Sequence, residues 1–505
     1  LLTVPNAKVD GVKGKPVFAV VQFEYTTWAQ DGKTDMYGKL PSPIAVLTLD
    51  QDQTTGKLSL VKYHNVDTSK VHGLWITCGA SLSPWGTHLS SEEYEPDAFS
   101  IASNTMFKAY SKNLYGNEAT ANPYHYGHMP EVIVNVDGTA TIKKHFCMGR
   151  ISHELVQVMP DQRTALMGDD ATNSGYFVFV ADKEKDLSSG TLYAAKVGAG
   201  FSIDPAAKST AALTWIKLGS ATSAEIENLA NTLKPTDIMT VVSKDPADAS
   251  YTKIVANGKT EWIKINPGMD KAAAFLETHR YAAYLGASLG FTKMEGTTVN
   301  AKDKIAYSAY ANIQDSMVEG GAGYVAGNNV KFKKLVAGAV VSHKLAGGQK
   351  DDTGAAIDSE WVAIDMAPPA ALVGVGSSTF HPETSRVARL ASGGRYGLAQ
   401  STFQVGGNTG SAFGPLLAAA IIIPYGQDHI AWFGLFAVFA IGVLYGLSRW
   451  YRNHLNLFKL KQGSQATHGL SKGRVTFALV VLAVLVFSKY FYMSSLTSYF
   501  TFYLI

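Results

Sequence analysis

The sequence predicts an all-β N-terminal part followed by an α-helical membrane segment. Short β-branched and aromatic runs alternate with turn residues, such as Asp137-Gly138 and Asn257-Gly258, from Val17 to Val362. Strands at such spacing are typical of a sandwich, barrel or propeller. Composition changes at Ala367-Pro368-Pro369, and residues 430–448 beyond it form an uncharged apolar run. That run is long enough to cross a bilayer, so we expect two parts of different class.

Length, charge and cysteine count limit the function classes. A chain of 505 residues is expected to hold more than one domain, and its net charge of +3 does not indicate a nucleic-acid partner. The only cysteines are Cys78 and Cys147, which excludes a disulfide scaffold. A single bridge between them is left open, and it would remove a free thiolate from the chain.

Individual elements can be placed from local patterns. Residues 221–233 carry Ile226, Leu229 and Leu233 at helical spacing, after Thr222 or Ser223 as N-cap, and they predict a short amphipathic helix. A second helix is predicted over residues 271–280. Strands are predicted at 17–23, 44–49, 131–136, 176–181, 191–197, 305–310 and 361–364.

One segment concentrates chemically active side chains. Between residues 78 and 97 the chain places the Cys78 thiol, a Pro84-Trp85-Gly86 corner and four carboxylates. Thiolates favour iron or zinc, whereas carboxylates suit calcium or magnesium, so the segment indicates a mixed metal site. The alternative is a buried free cysteine followed by a solvated acidic loop.

The pattern from Cys78 to Glu93, Cys-x5-Pro-Trp-Gly-Thr-x-Leu-x-x-Glu-Glu, resembles the signature of PhoX-type alkaline phosphatases. Further similar motifs follow in the family's order: Gly149-Arg150-Ile151-Ser152-His153-Glu154, Met167-Gly168-Asp169-Asp170, Gly190-Thr191-Leu192-Tyr193 and Lys293-Met294-Glu295. The resemblance implies a β-propeller that hydrolyses phosphate monoesters with iron (Fe³⁺) and calcium, in the periplasm or secreted. An inactive metal-binding propeller is the alternative from another class.

The same resemblance assigns roles to individual residues. Cys78 would supply an iron-bound thiolate, and Lys293 would contact the phosphate. The implied carboxylate ligands of the metals are Glu93 or Glu92, Glu154, Asp170 and Glu295. Asp169-Asp170 could instead be a plain turn, and the pair His125 and His128 could be read as a His-x-x-His metal motif. We expect His153 to orient or pack, and Trp85 to belong to the core.

Two departures from the family pattern weaken this assignment. Lys293 stands where many members carry arginine, so it offers a point charge in place of a bidentate fork. The resemblance also stops near Pro368, which would leave a C-terminally truncated, incomplete propeller over residues 1–366. We therefore expect an under-coordinated metal cluster and impaired activity.

The C-terminal segment, 370–505, predicts about three transmembrane helices at 401–423, 430–448 and 474–505. Arginines and lysines in the loops before the first helix and after the second indicate that these loops are cytoplasmic. Gly410, Gly414 and Pro415 allow close helix contact and a bend. The segment resembles the region from the end of helix four through part of helix seven in fosmidomycin-resistance exporters of the major facilitator superfamily. This resemblance implies a lipid bilayer partner, an inner-membrane location and an alternative function as a drug efflux transporter. Taken together, the two resemblances imply that the chain is a fusion of two truncated genes.

Overall fold

The structure is a computed structural model that describes residues 1–24, 28–199, 210–336 and 338–367. These residues lie in one compact unit, Leu1–Gly376. They form mainly β-structure, so the prediction of an all-β N-terminal part is confirmed. In chain order the strands are β1 (Lys15–Gln22), β2 (Ile44–Gln51), β3 (Leu58–Asn65), β4 (Ser81–Leu82), β5 (His88–Leu89), β6 (Met129–Val134), β7 (Ala140–His145), β8 (His153–Val158), β9 (Thr164–Ser174), β10 (Phe177–Lys183), β11 (Asp186–Val197), β12 (Ala211–Thr222), β13 (Met239–Val242), β14 (Thr252–Ala256), β15 (Lys259–Ile265), β16 (Phe291–Asn300), β17 (Ile305–Tyr310), β18 (Ala339–Ala346), β19 (Val362–Ala363) and β20 (Asp365–Met366).

The strands form one large sheet and three small antiparallel ones. The strand orders of the small sheets are β1-β2-β3, β4-β5-β6-β7 and β13-β15-β14. The predicted Asp137-Gly138 turn joins β6 to β7, and Gly138 has a φ of +81° that other residues rarely adopt. The predicted Asn257-Gly258 turn likewise joins β14 to β15, with both residues at positive φ.

The large sheet has ten strands in the order β19-β18-β17-β16-β9-β10-β11-β12-β20, with β8 paired to β9. Its two terminal strands, β19 and β20, are separated in the chain by Ile364 alone. One short segment thus pairs with both ends of the sheet and nearly closes it. The described strands therefore form a nearly closed, barrel-like sheet, and the finer expectation of an incomplete β-propeller stays a prediction. Strands β9, β11 and β12, which are 11 or 12 residues long, all belong to this one continuous sheet.

Strand β10 shows why the centre of this sheet is stable. Phe177 and Phe179 pack in one hydrophobic cluster, and the alternating residues Val178 and Val180 pack in a second cluster. Successive side chains of a strand point to opposite faces, so β10 is covered on both sides. A run of apolar residues without polar alternation is typical of such a doubly buried strand.

Five α-helices connect the strands: α1 (Thr105–Tyr115), α2 (Ser223–Thr232), α3 (Pro235–Ile238), α4 (Asp270–Leu276) and α5 (Thr278–Tyr284). The helix predicted over 221–233 is confirmed as α2. The Thr222 side chain accepts a hydrogen bond from the backbone N–H of Glu225, which caps its N-terminus. The helix predicted over 271–280 is two short helices, because the chain breaks at Glu277.

The predictions for the C-terminal segment lie outside the described residues. These include domain 370–505, its three transmembrane helices and the Gly410, Gly414 and Pro415 motif. Within the described ranges, no helix is both long and apolar enough to cross a membrane.

Candidate functional site

The signature segment forms a hairpin that is fixed by hydrogen bonds to one carboxylate. Strands β4 and β5 flank the Pro84-Trp85-Gly86 corner, where Gly86 has a φ of +87°. The Trp85 indole N–H and the Thr87 hydroxyl donate to Glu131 Oε1 at 2.9 and 2.6 Å. Trp85 packs against the main hydrophobic cluster, so its role here is structural.

Two overlapping groups of ligand atoms converge beyond this hairpin. One group contains Glu24, Cys78 and Glu93, and the other contains Glu93, Glu154 and Asp170. Within each group, one ligand atom of every residue lies within 4.8 Å of the others. We call these five residues the acidic cluster. Glu24 follows β1, Glu154 lies near the start of β8 and Asp170 lies within β9, so three separate strand segments meet here.

Burial keeps the cluster from being fully ionised in the absence of a cation. Burial and then the neighbouring Asp170 raise the pKa of Glu93 to about 9. Burial, together with Asp170 and Glu295, raises the pKa of Glu154 to about 8. The pKa of the Cys78 thiol is raised far above its usual range, first by burial and then by Glu154 and Glu93. A thiolate therefore needs a cation beside it.

A further observation indicates that the acidic cluster can bind metal ions. Glu93 Oε2 and Asp170 Oδ1 are fully buried and have no hydrogen-bond partner. A buried polar atom without a partner costs free energy, so a partnerless carboxylate oxygen that faces other carboxylates is suited to bind a cation. The cluster combines one soft sulfur with hard oxygens, which suits more than one kind of metal.

A lysine and a tyrosine cover the cluster. Lys293 Nζ donates to Asp170 Oδ2 at 2.5 Å and to the Tyr94 hydroxyl at 2.7 Å. The Tyr94 hydroxyl in turn donates to Asp170 Oδ2 at 2.6 Å. Lys293 Nζ also lies 3.7 Å from Glu295 Oε1, which places Glu295 at the edge of the cluster. Burial alone would lower the pKa of Lys293, but Asp170 and Glu295 raise it.

Both covering residues have left-handed backbones. Tyr94 has a φ of +50° and Lys293 a φ of +59°. Such conformations are uncommon for residues other than glycine and cluster at functional sites, where surrounding contacts maintain them. The Tyr94 backbone is fixed on both sides, because its N–H donates to Ser152 Oγ and its carbonyl accepts from the Trp75 indole.

Glu92, offered as an alternative to Glu93, does not join the cluster. Its Oε1 accepts from Trp75 N and from Lys144 Nζ at 3.0 and 2.9 Å. Its Oε2 accepts from the N–H groups of Gly127 and His128. These four hydrogen bonds occupy both carboxylate oxygens of Glu92. Glu92 therefore holds neighbouring loops together, and of the two glutamates only Glu93 belongs to the acidic cluster.

The histidines considered from the sequence have other partners. His125 Nε2 hydrogen-bonds Asn231, and its ring stacks on His72 at 3.7 Å. His128 Nε2 donates to the Tyr124 carbonyl. The Nε2 atoms of His125 and His128 therefore have separate partners and do not converge as ligands of one metal. His153 donates to the Gly149 carbonyl, and burial lowers its pKa to about 4. These contacts are structural.

A buried histidine outside every predicted motif lies behind the cluster. His279 bonds Glu95 Oε1 at 3.0 Å and Asp169 Oδ2 at 2.8 Å. Burial alone would lower the pKa of His279, but Asp169 and Glu95 raise it to about 10. His279 is therefore a cation that fixes Asp169. Asp169 points away from Asp170, so this pair is more than a turn: its two carboxylates serve opposite sides of β9.

The two cysteines are both free, which overturns the open alternative of a bridge between them. Cys147 is buried, and its sulfur lies 3.2 Å from the Ser223 hydroxyl and from the Leu187 carbonyl. Cys78 is half-buried in the acidic cluster and remains available as a ligand.

The family model described as "Alkaline phosphatase PhoX" matches residues 51–317. The chain belongs to the PhoX family. The solved structure of Pseudomonas fluorescens PhoX in complex with vanadate, a transition state analogue, is 18% identical, with a TM-score of 0.43. The alignment covers 72% of this chain and 65% of that one. The family-model match confirms the predicted resemblance to PhoX-type alkaline phosphatases.

A second similarity concerns membrane transporters. The "Fosmidomycin resistance protein" of Escherichia coli (strain K12) is 59% identical over 135 residues, 27% of this chain and 33% of that protein. The "Uncharacterized MFS-type transporter YfnC" of Bacillus subtilis (strain 168) is 47% identical over 93 residues, 18% and 23% of the two chains. The chain thus spans about a third or less of these curated relatives. The predicted double resemblance is confirmed, and it is consistent with a chimera of PhoX and transporter sequences.

Three residues of the site were missed from the sequence. Glu24 carries only a weak signal, a carboxylate directly after a predicted strand. Tyr94 directly follows Glu92-Glu93 in the signature, so its position could have been questioned. His279 carries no local signal, because its two carboxylate partners lie more than 100 residues away in the chain.

Proposed function

We propose that the N-terminal part hydrolyses phosphate monoesters with metal ions held by the acidic cluster. The observation that carries this proposal is the convergence of Glu24, Cys78, Glu93, Glu154 and Asp170 in two groups that share Glu93. Membership of the PhoX family supports the reaction class. Glu295 adds a carboxylate at the edge of the cluster.

The two groups differ in their ligand chemistry. The group with Cys78 offers a sulfur and suits iron, whereas Glu93, Glu154 and Asp170 offer oxygens alone and suit calcium. A carboxylate shared between the groups would reduce the repulsion between neighbouring cations. Bound cations in such a site neutralise charge on phosphate oxygens and activate an oxygen nucleophile.

The residues of the chain itself supply positioning and charge. Lys293 presents an ammonium at the cluster, and this charge would hold a phosphate oxygen of the ester. The Tyr94 hydroxyl, 2.7 Å from Lys293 Nζ, can turn its proton from Asp170 to a second phosphate oxygen. Burial, followed by Asp170 and Glu93, raises the pKa of Tyr94, so the phenol remains a donor at alkaline pH. Both groups would then stabilise charge that develops on the phosphoryl group.

Metal content and turnover together test this proposal. The purified chain, supplied with iron and calcium, is assayed with p-nitrophenyl phosphate, and its metals are counted by mass spectrometry. We expect bound metal and hydrolysis that calcium chelation abolishes. The double variant Glu93→Gln/Glu154→Gln should lose both. The sequence led us to expect weak turnover, and metal binding without turnover would favour the inactive metal-binding alternative. A chain that binds no metal would contradict the proposal.

Membrane transport is the second candidate, on the strength of the 59% identity to the Escherichia coli protein. Because the match covers a third of that protein, transport and a bilayer partner remain proposals. Labelling of cysteines introduced at Gln427 and Gln462 should report opposite sides of the membrane. Labelling from one side would contradict the inner-membrane topology predicted above.

A further inference from the structure

A cavity of about 370 Å³ lies directly beside the acidic cluster. Tyr94, Asp170 and Lys293 belong to its lining as well as to the site described above. Its volume is in the range of cavities that hold small ligands. A phosphoryl group held at Lys293 would therefore have the cavity as adjoining space for the rest of the ester.

The remaining lining is polar, and its charges are already paired. Lys259 Nζ lies 2.6 Å from Asp97 Oδ2, and Arg280 Nη1 lies 3.2 Å from Asp97 Oδ1. Asn257 Nδ2 donates to Glu95 Oε1 at 2.9 Å. The lining thus offers both hydrogen-bond donors and acceptors, without an unpaired cation that would call for a second anionic group.

Few of the residues in the same lining have purely hydrophobic side chains. Among the lining residues that the structure describes, Ala171 is the only aliphatic one. Sites for aryl or alkyl groups are lined mainly by hydrophobic and aromatic side chains. Hydroxyl groups, by contrast, both donate and accept, so they match an ion pair such as Asp97–Lys259.

We propose that this cavity binds the alcohol part of the ester and selects polyhydroxylated alcohols, such as sugars or glycerol, over aryl or alkyl alcohols. The proposal rests on the phosphomonoesterase function proposed above. Lys259 is the specificity-determining residue. It projects from β15, is about half exposed, and can turn from Asp97 to a substrate hydroxyl without breaking the fold.

The test compares Lys259→Ala with the wild-type chain on glucose 6-phosphate and p-nitrophenyl phosphate. Loss of one hydrogen bond to a charged donor should raise the KM for glucose 6-phosphate about 10-fold. The kinetic constants for p-nitrophenyl phosphate should not change. Lys264→Ala on the same strand is the matched control, because Lys264 lies against the Tyr251 ring. This variant should leave the kinetic constants for both substrates unchanged. Equal losses on both esters, or no loss on either, would overturn the subsite.

Calorimetry separates this proposal from the function on which it rests. If no ester is hydrolysed, the affinities of the metal-loaded chain for glucose 6-phosphate and for inorganic phosphate are compared. Tighter binding of glucose 6-phosphate that weakens in Lys259→Ala supports the subsite even though the hydrolytic function has failed. Equal affinities overturn the subsite, and a chain that binds neither ligand overturns both proposals.

Discussion

The ammonium of Lys293 and the hydroxyl of Tyr94 are 2.7 Å apart, although 199 positions separate these residues in the chain. Each has a left-handed backbone, and each contacts Asp170. Two unfavourable conformations that bring their side chains onto one buried carboxylate indicate a site shaped for a ligand and not for stability alone.

We predict that Tyr94→Phe lowers kcat for p-nitrophenyl phosphate about 10- to 100-fold, with metal content unchanged. The variant keeps the ring and removes one hydrogen bond to a charged phosphate oxygen, which is worth about 1.5–3 kcal/mol. Tyr115→Phe is the matched control, because its hydroxyl donates to the His72 carbonyl at an exposed position. A loss of metal in Tyr94→Phe would instead assign the hydroxyl to the metal site.

Lys293→Arg tests the departure of this chain from its family. Arginine can donate two parallel hydrogen bonds to a phosphate, whereas lysine is a point charge. We expect Lys293→Arg to retain or increase kcat/KM, and Lys293→Met to reduce it about 100-fold, the size of effect seen when one stabilising donor is removed. Steady-state kinetics on p-nitrophenyl phosphate measure both. Equal activity of all three chains would show that the ammonium does not contact the ester.

Cys78→Ser should lower bound iron and turnover together, while calcium remains bound. A hydroxyl is a far weaker ligand for iron than a thiolate, and the Cys78 sulfur belongs to only one of the two groups. Cys147→Ser is the matched control, because Cys147 is buried beside Ser223 away from the cluster. Normal iron content with lost turnover in Cys78→Ser would instead point to a nucleophilic cysteine.

The metal-free chain should become less stable as pH rises. Glu93 and Glu154 have pKa values of about 9 and 8 in the folded chain, against an ordinary value of 4.5. The folded state therefore binds more protons, and the free energy of unfolding falls between about pH 4.5 and pH 9. Urea unfolding across this range measures the slope. Glu93→Gln/Glu154→Gln should flatten it, and bound metal should remove it; an unchanged slope in the double variant would contradict these assignments.

Lys144→Met should destabilise the fold by about 3–5 kcal/mol, because it leaves the Glu92 carboxylate buried without its cation. Lys112→Met, which removes an exposed pair with Glu118 at 3.7 Å, should cost less than about 1 kcal/mol. Urea unfolding of both variants gives the comparison. Similar losses of unfolding free energy in the two variants would show that burial does not make the Lys144–Glu92 pair more important for stability than an exposed pair.

The sequence predicted local features better than long-range ones. Helix α2 and the Asp137-Gly138 turn follow from residues that are near neighbours in the chain. The motif resemblance predicted Cys78, Glu93, Glu154 and Asp170 as ligands of one metal site. It could not separate Glu92 from Glu93, since that choice depends on Lys144 and two backbone N–H groups of distant loops.

The closure of the large sheet was also beyond sequence reasoning. Strands β19 and β20 have two residues each, which is too short to show the apolar–polar alternation of a strand. They are recognised only by their pairing with β18 and β12 in the folded chain. His279 was missed for a related reason. A buried histidine is defined by the carboxylates folded around it, and neither Glu95 nor Asp169 is near it in sequence.

The segment Val362–Met366 acts as a clasp on the ten-stranded sheet, because it pairs with β18 on one side and with β12 on the other. Removing these five residues would expose two backbone edges in a single step. Exposed edges are templates for pairing between molecules. We therefore expect the clasp to limit aggregation, and a protease cut just before Val362 should increase self-association of the chain.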